Sequence, residues 1–488
     1  MVAEFPDLLP SYRAREGVRP LIDALSSGGD ARITLNPDTG LNRYLAGPYP
    51  RKTIAFASST ANDISQAAFD HLLDLAAGEP RGYEARLVSL RERICAAYGL
   101  ASGVDIVFAP SGTDLEFVAL AAVAGRGAAG THNILLGADE VGSGCILSAR
   151  GQFFAGETAL GVQTQAGADV AGIGPVSFVD VPVRCEEGAA RHSHDIGVAV
   201  HAEIDRALQA GKHPLLHVVH GSKTGLILPK LREIDALRAQ FGDRLSLVVD
   251  ACQARITPDA VREYLDRDAI VFITGSKFMG GPPFSGFALV PHGLAGCAPE
   301  LPAGFADIFR RAEWGEAWAG RALLADSENP GLAFRLEASI FELERFVQLS
   351  AEIVERVIRD FQSAVDEVFV KGMGFPSVLP FANGNDRDAA AHPLEMLTLA
   401  TIDISSHPDA RTFDEAQLLY RALETRGLRL GQPVKCVRKP GGEWGGTLRV
   451  GLSMPQVSEL AALPGEDRRR VLHEQLERFA AALAVPNA

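Results

Sequence analysis

The most restrictive feature of the sequence is a regular alternation of helical and strand periods between about residues 60 and 290. Two amphipathic helical segments come first, and short, nearly all-apolar strand segments then alternate with further helices. The strand segments are DIVFA, NILLG, VSFVDVPV, PLLHVVH, LSLVVD and AIVFIT. Strands this apolar are buried on both faces, so the pattern predicts an α/β fold with a mostly parallel sheet between two layers of helices.

The pattern changes after about residue 300. A long helical stretch over residues 331–369 is followed by strand, helix, strand and helix periods, which predicts a smaller α+β unit. We therefore divide the chain into an N-terminal segment that packs on the small domain (1–55), a large domain (56–300) and a small C-terminal domain (301–488).

Two segments resemble loops by composition. Residues 151–174 are rich in glycine and small side chains, and we interpret them as a loop insertion that can act as a lid. Residues 384–393 have the composition of a surface loop.

Composition and charge exclude several classes of protein. Of the 488 residues, 47% are apolar, and the net charge is −14 without a dense basic cluster, which argues against a nucleic-acid or anionic-membrane surface. The N-terminus lacks the pattern of a signal peptide, and no apolar stretch is long enough to span a bilayer. The six scattered cysteines suit a reducing compartment and argue against structural zinc. These features predict a cytoplasmic globular protein without a structural metal.

The segment VFITGSKFMGGPPFSG, at 271–286, places a lysine, Lys277, just after a strand and before a glycine-rich loop. The preceding strand, LSLVVD, ends in Asp250, and Gln253 follows three residues later. A lysine and a carboxylate at one sheet edge are what pyridoxal phosphate chemistry needs: the lysine forms a Schiff base, and the carboxylate keeps the pyridine nitrogen protonated. Gln253 can then hydrogen-bond the phenolic oxygen. The alternatives are a solvated lysine at a strand end and an aspartate that caps the next helix.

A phosphate site is expected in VFAPSGTDLE, where a strand stops and a helix begins near Thr113. The backbone amides of Gly112 and Thr113 at that helix start can bind a phosphate, and the hydroxyls of Thr274 and Ser276 can reach it. Alone this motif is weak, because similar turns cap many helices.

Five motifs in this order and approximate spacing resemble the fold-type-I pyridoxal-phosphate enzymes, and among them the class V aminotransferase and cysteine desulfurase-like group. The motifs are SGTD, HGSKTGLILP, VVDACQA, TGSKFMGGPPFSG and TLRVGLSMPQVSEL. The resemblance implies a seven-stranded, mostly parallel sheet in a large cofactor domain, a small C-terminal domain, and a homodimer with active sites at its interface. It also implies that Ser285 reaches the partner's phosphate.

The resemblance assigns two more basic residues. Arg449, alone among apolar neighbours in GTLRVGLSM, corresponds to the arginine that binds the substrate's α-carboxylate; a structural salt bridge to the large domain is the alternative. Lys223 stands where relatives place an asparagine, and we hypothesise that its ammonium stabilises the cofactor's phenolate. A solvent-facing lysine is the alternative there.

The sequence also departs from the group. Glu140 and Val141 stand where many relatives stack a histidine on the cofactor ring, so an aromatic face and an imidazole acid are absent. Val434 occupies the position of the nucleophilic cysteine of one desulfurase subgroup, fifteen residues before Arg449, and Cys436 lies thirteen before it. These differences disfavour sulfur transfer to a protein persulfide.

The sequence therefore favours a pyridoxal-phosphate enzyme that acts on an α-amino acid. An aminotransferase comes first, because transamination needs little beyond Lys277, Asp250 and Arg449. A lyase acting at the β-carbon, with Glu140 as the acid, is the second hypothesis. A non-catalytic module that only binds the cofactor is a third, and a nucleotide-binding protein is disfavoured because APSGTDLE matches neither a GxGxxG nor a Walker motif.

Overall fold

The structure is a computed structural model, and it describes residues 5–79, 81–100, 103–142, 144–381 and 392–484. Most of the surface loop expected at 384–393 therefore lies outside the described residues. No helix in the described part of the chain is both long and apolar enough to cross a membrane.

The described residues form strands that belong to three sheets. They are β1 (Ile54–Phe56), β2 (Val104–Ala109), β3 (Thr131–Leu136), β4 (Val176–Val181), β5 (His213–His220), β6 (Ile227–Leu228), β7 (Ser246–Asp250), β8 (Ile270–Thr274), β9 (Gly286–Pro291), β10 (Ser377–Val378), β11 (Leu399–Asp403), β12 (Leu428–Leu430) and β13 (Thr447–Gly451).

The same residues form α-helices along the whole chain. They are α1 (Val18–Leu25), α2 (Gln66–Ala77), α3 (Tyr83–Tyr98), α4 (Leu115–Val123), α5 (Cys145–Ser148), α6 (Ser193–Gln209), α7 (Leu231–Phe241), α8 (Pro258–Leu265), α9 (His292–Cys297), α10 (Pro330–Val347), α11 (Ala351–Val365), α12 (Phe413–Glu424), α13 (Met454–Ala461) and α14 (Gly465–Ala484).

The large central sheet has the strand order β2-β9-β8-β7-β5-β3-β4, and the two-residue β6 pairs with β5 beside this path. The pairs from β8 through β4 are parallel, whereas β9 runs antiparallel to both β8 and β2. Every residue of β5, β8 and β9 is buried, as expected for strands covered on both faces. The predicted mostly parallel α/β sheet is confirmed, with seven strands on its main path.

Three neighbouring parallel strands, β5, β7 and β8, determine where the candidate residues meet. Their register pairs Val219 with Asp250 and Asp250 with Phe272. Because parallel strands end at the same edge, the loops after all three strands emerge side by side.

The C-terminal part contains a second, antiparallel sheet, β10-β11-β13. The N-terminal part reaches it through β1, which pairs in parallel with β12, and helix α1 packs against α10 and α2. Strand β1, at the start of the predicted large domain, therefore contacts the C-terminal part of the chain.

The single long helical stretch predicted over residues 331–369 is wrong in one respect. It is two helices, α10 and α11, which are separated at Gln348–Ser350 and followed by a π-helical segment, Asp366–Lys371. The Ser350 side chain accepts a hydrogen bond from the amide of Ile353, so it caps a new helix rather than continuing the old one.

Residues 151–174 are irregular, as expected for a loop insertion, and isolated bridges such as Gln152 to Asp169 and backbone hydrogen bonds within the segment order them. Phe153 and Phe154 pack against the core cluster beneath the sheet, and Phe154 stacks with Phe117 of α4. The insertion is therefore anchored to the molecule by aromatic side chains.

Candidate active site

Lys277 and Asp250 lie at the ends of adjacent strands. The Thr274 hydroxyl donates to the carbonyl of Cys252 at 2.6 Å, and the Asp250 carboxylate accepts from the amide of Cys252 at 3.0 Å. Burial and the charge of Asp250 raise the pKa of the Cys252 thiol, whereas the charge of Lys277 lowers it. The thiol is therefore within electrostatic reach of both charged groups. Asp250 does not cap the next helix, because α8 begins at Pro258.

The loop that carries Lys277 is packed tightly on helix α10. A Cβ atom on Gly275 or Gly281 would lie 2.1 Å or 2.0 Å from the Ser339 hydroxyl, closer than such atoms can approach. The Asn62 amide donates to the carbonyls of Ser276 and Lys277. The glycines of this segment are therefore needed for close packing, and Asn62, which the sequence did not single out, holds the backbone at the lysine.

The turn between β2 and α4 has the features of an anion site. Among the described residues, the backbone amides of Gly112 and Thr113 have no protein acceptor. A Cβ atom on Gly112 would lie 3.0 Å from Cγ2 of Thr274 and 3.1 Å from Sγ of Cys252, so the turn rests against the ends of β7 and β8. The hydroxyl of Ser276 donates to that of Thr274 at 3.5 Å. The helix itself begins at Leu115, two residues after the predicted start.

Gln253 is held by two partners. Its side-chain nitrogen donates to the carbonyl of Ser59 at 3.2 Å, and its oxygen accepts from Nη1 of Arg255 at 2.7 Å. The buried Arg255 also donates to the hydroxyls of Ser58 (2.7 Å) and Thr398 (2.9 Å), so it joins the turn after β7 to the segment after β1 and to the C-terminal part of the chain. Burial, and secondarily Arg449, lower the pKa of Arg255 to about 9. Arg255 was not singled out from the sequence; its position directly after the motif residues DACQA is the signal that could have identified it.

Arg449 in β13 reaches the same carbonyl. Its guanidinium donates to the carbonyls of Gln432 (2.7 Å), Ser59 (3.0 Å) and Lys223 (3.2 Å) and to the Thr60 hydroxyl (3.1 Å). It is 2% exposed, and no described carboxylate lies within ion-pair distance, so the alternative of a structural salt bridge is not observed. Burial lowers its pKa to about 10. An arginine buried without a carboxylate is typical of a site for an anionic ligand.

Lys223 is partly buried, and its amine donates to the carbonyl of Asp139 at 2.8 Å. Burial, and then the charges of Arg449 and Lys277, lower the pKa of Lys223 to about 8. The Lys223 amine is thus held by a backbone carbonyl and lies within electrostatic reach of Arg449 and Lys277, so the alternative of a freely solvated lysine is not observed. Among the described residues, no group of acidic, histidine or cysteine side chains is arranged to hold a metal ion.

Comparisons with known proteins give matches to solved structures alone. No protein-family profile matches the chain, and no curated protein matches it. An apo cysteine desulfurase from Thermococcus onnurineus NA1 is 17% identical, with a TM-score of 0.53, over 88% of this chain and 95% of that one. A ureidoglycine-glyoxylate aminotransferase from Bacillus subtilis is 12% identical, with a TM-score of 0.51, over 89% and 98%.

A third similar structure is a C-DES mutant with glycine covalently linked to its pyridoxal phosphate cofactor. It is 14% identical, with a TM-score of 0.53, over 89% of this chain and 97% of that one. The chain has the type I fold of pyridoxal-phosphate-dependent transferases. The resemblance drawn from the sequence motifs is thereby confirmed at the level of the fold.

Glu140 occupies a distinctive position in this type I fold. It is 4% exposed, and its carboxylate accepts from Nε of Arg184 at 2.5 Å and from the hydroxyls of Ser222 (2.7 Å) and Thr224 (2.9 Å). Burial opposes ionisation, but Arg184 and the two hydroxyls outweigh it and lower the pKa of Glu140. This environment keeps the side chain ionised, which disfavours the predicted role as an acid. Arg184, just after β4, was not singled out from the sequence.

Two further positions differ from what the type I relatives imply. Ser285 is 1% exposed, and its hydroxyl lies 3.2 Å from both the Pro282 carbonyl and the Ser339 hydroxyl, so it faces the interior of its own chain. Its contact with a partner's phosphate stays a prediction without support from these contacts. Cys436 is buried, and burial raises the pKa of its thiol to about 12, the opposite of what a sulfur nucleophile needs.

We expect the substitution Arg184→Met to lower the free energy of unfolding by about 3–5 kcal/mol at neutral pH, because it leaves the buried carboxylate of Glu140 without its cation. In the wild type the folded-state pKa of Glu140 is depressed, so its contribution is present above the unfolded pKa and is lost as the pH falls through the folded value. In the variant, burial raises that pKa, so the difference between the two proteins shrinks on acidification.

Urea unfolding at a series of pH values measures this difference. Arg206→Met, which removes an exposed partner of Glu203, is the matched control and should change stability by less than about 1 kcal/mol. A loss in Arg184→Met that stays constant from neutral to acid pH contradicts the assignment of the effect to Glu140.

Proposed function

We propose that this protein is a pyridoxal-phosphate-dependent enzyme that acts on an α-amino acid, with Lys277 as the residue that binds the cofactor covalently. The observation that carries the proposal is the placement of Lys277 and Asp250 at adjacent strand ends of a type I fold, beside a turn with two backbone amides that have no acceptor in the described part of the chain. The donors and acceptors present fit the group.

In this proposal the residues divide by the part of the cofactor they hold. Gly112, Thr113, Thr274 and Ser276 bind the phosphate, and Asp250 keeps a proton on the ring nitrogen. Gln253 and Lys223 lie on the phenolic side. When bound, the cofactor supplies an electron sink for a bond that breaks at the substrate's α-carbon.

The substrate side of the proposal rests on Arg449. Its planar guanidinium can bind the α-carboxylate of an amino acid through two parallel hydrogen bonds. A carboxylate held in this way also fixes the rotation of the bond from nitrogen to α-carbon, and so selects which substituent can leave. The Lys277 amine, once released, is the base that moves the α-proton.

An aminotransferase is the preferred reaction, because it requires only these residues. The alternative is a lyase acting at the β-carbon, and the similarity to a cysteine desulfurase and to an aminotransferase is compatible with both. The ion pair of Glu140 with Arg184 and the raised pKa of Cys436 both favour transamination over elimination or sulfur transfer. A homodimer with shared sites, a cytoplasmic location and the three-part division of the chain complete the proposal.

We expect borohydride reduction of the cofactor-loaded protein, followed by peptide mass spectrometry, to find the pyridoxyl label on Lys277. Lys277→Ala should carry no label, because the amine that forms the linkage is gone. Lys371→Ala, which removes a surface lysine paired with Asp366, should be labelled like the wild type. A label on Lys223, or a folded protein that never takes up the cofactor, contradicts the proposal.

The reaction type is tested by mixing the loaded protein with a panel of amino acids. A transaminase converts the cofactor to its pyridoxamine form and releases a 2-oxo acid, which absorbance and chromatography detect. Pyruvate or alanine together with a leaving group indicates the lyase instead. A protein that binds the cofactor, yet shows no spectral change with any amino acid, is a non-catalytic module.

We expect Lys223→Asn to move the pH titration of the bound cofactor's absorption to a higher pKa. The charge of Lys223 opposes a further proton on the cofactor, so its removal favours the protonated form. The pKa of Lys223 of about 8 means that the difference should be largest below pH 8. Lys371→Asn is the control, and an unchanged titration in Lys223→Asn contradicts its placement near the phenolic oxygen.

A further inference from the structure

Arg32, in the N-terminal segment, contacts three other parts of the chain: the insertion at 151–174, the loop after Lys277, and the turn between β2 and α4. Its Nε and Nη2 donate to the two carboxylate oxygens of Asp30 at 2.9 and 2.7 Å. Its guanidinium carbon lies 5.0 Å from the ring centre of Phe154, in the insertion, and 4.5 Å from that of Phe284, in the loop after Lys277. Asp30 therefore holds one edge of the guanidinium group, and the rings of Phe154 and Phe284 also contact it.

The remaining edge of Arg32 faces the turn between β2 and α4. Nη2 lies 3.3 Å from the hydroxyl of Ser111, and Nη1 lies 3.5 Å from that of Thr113. Among the described residues, Nη1 has no other acceptor. The Arg32 guanidinium therefore lies beside the turn whose amides, those of Gly112 and Thr113, have no acceptor among the described residues.

We propose that Arg32 is a phosphate-binding residue of this chain, which donates from Nη1 to the 5′-phosphate of pyridoxal phosphate. The inference rests on the proposed function and adds a residue to it. A helix N-terminus supplies partial positive charge and amide donors, and a guanidinium adds a full charge with planar donor geometry. The Ser285 hydroxyl contacts Ser339 of its own chain, whereas the Arg32 guanidinium lies beside the hydroxyls of the turn itself.

A purely structural clamp is the competing explanation. In that case Arg32 only joins Asp30 to Phe154 and Phe284, and its loss would weaken the whole pocket without regard to the phosphate. Pyridoxal, which has the aldehyde and the ring but not the phosphate, separates the two explanations. It can form the same linkage to Lys277 but has no group for Arg32 to bind.

The test titrates cofactor-free protein with pyridoxal phosphate and with pyridoxal, following the absorbance of the bound forms. We expect Arg32→Met to weaken binding of pyridoxal phosphate by about 10- to 100-fold, the range for a lost charge-assisted hydrogen bond, with pyridoxal binding unchanged. Arg32→Lys should recover part of the loss. Arg345→Met is the matched control, because Arg345 also pairs with a carboxylate (Glu342, 2.8 Å) and lies over a phenylalanine ring, at 5.7 Å.

Removing Arg32 leaves the buried Asp30 without its cation, so the double variant Asp30→Asn, Arg32→Met is measured in parallel. The ratio of the two affinities decides the inference in either variant. Equal losses for both ligands, or no loss for either, overturn the role of Arg32 and leave the proposed function intact. A wild-type protein that binds neither ligand overturns both.

Discussion

The site depends on the parallel pairing of β5, β7 and β8. Their ladder brings Lys223, Asp250 and Lys277, each 27 residues from the next in sequence, to one edge of the sheet. Burial on both faces stabilises these strands, so apolar residues outside the candidate site fix the positions of these polar groups. Changing the register of β7 by one residue would turn the Asp250 side chain to the opposite face of the sheet.

Buried arginines that bind backbone carbonyls rather than carboxylates join the parts of the chain. Arg255 and Arg449 are both connected to the carbonyl of Ser59. Arg449 donates to it directly, whereas Arg255 donates to Gln253, whose side chain donates to the same carbonyl. Neither has a described carboxylate to neutralise it, and burial lowers the pKa of both. Two buried guanidinium groups without a carboxylate partner among the described residues suit a ligand that carries anionic groups.

Much of this architecture could be predicted from sequence because it depends on local signals. Apolar strand periods predicted the sheet, and a lysine and an aspartate at strand ends predicted which edge carries the candidate site. Arg32 and Asn62 were missed, because their contacts join positions far apart in sequence and nothing local marks them. Glu140 was recognised as unusual, but its partner Arg184 was not, because their contact joins positions 44 residues apart in sequence. The break at Ser350 was missed because apolar periodicity continues across it.

The packing of the lysine loop against α10 has a consequence for how this protein can vary. The Ser339 hydroxyl occupies the space that a side chain at 275 or 281 would need, and it also contacts Ser285. One small residue in the middle of helix α10 thus limits how closely the helix and both ends of the lysine loop can approach. A bulkier residue at 339 would push on both ends of the loop at once, so sequence variation at this helix position is coupled to the position of Lys277.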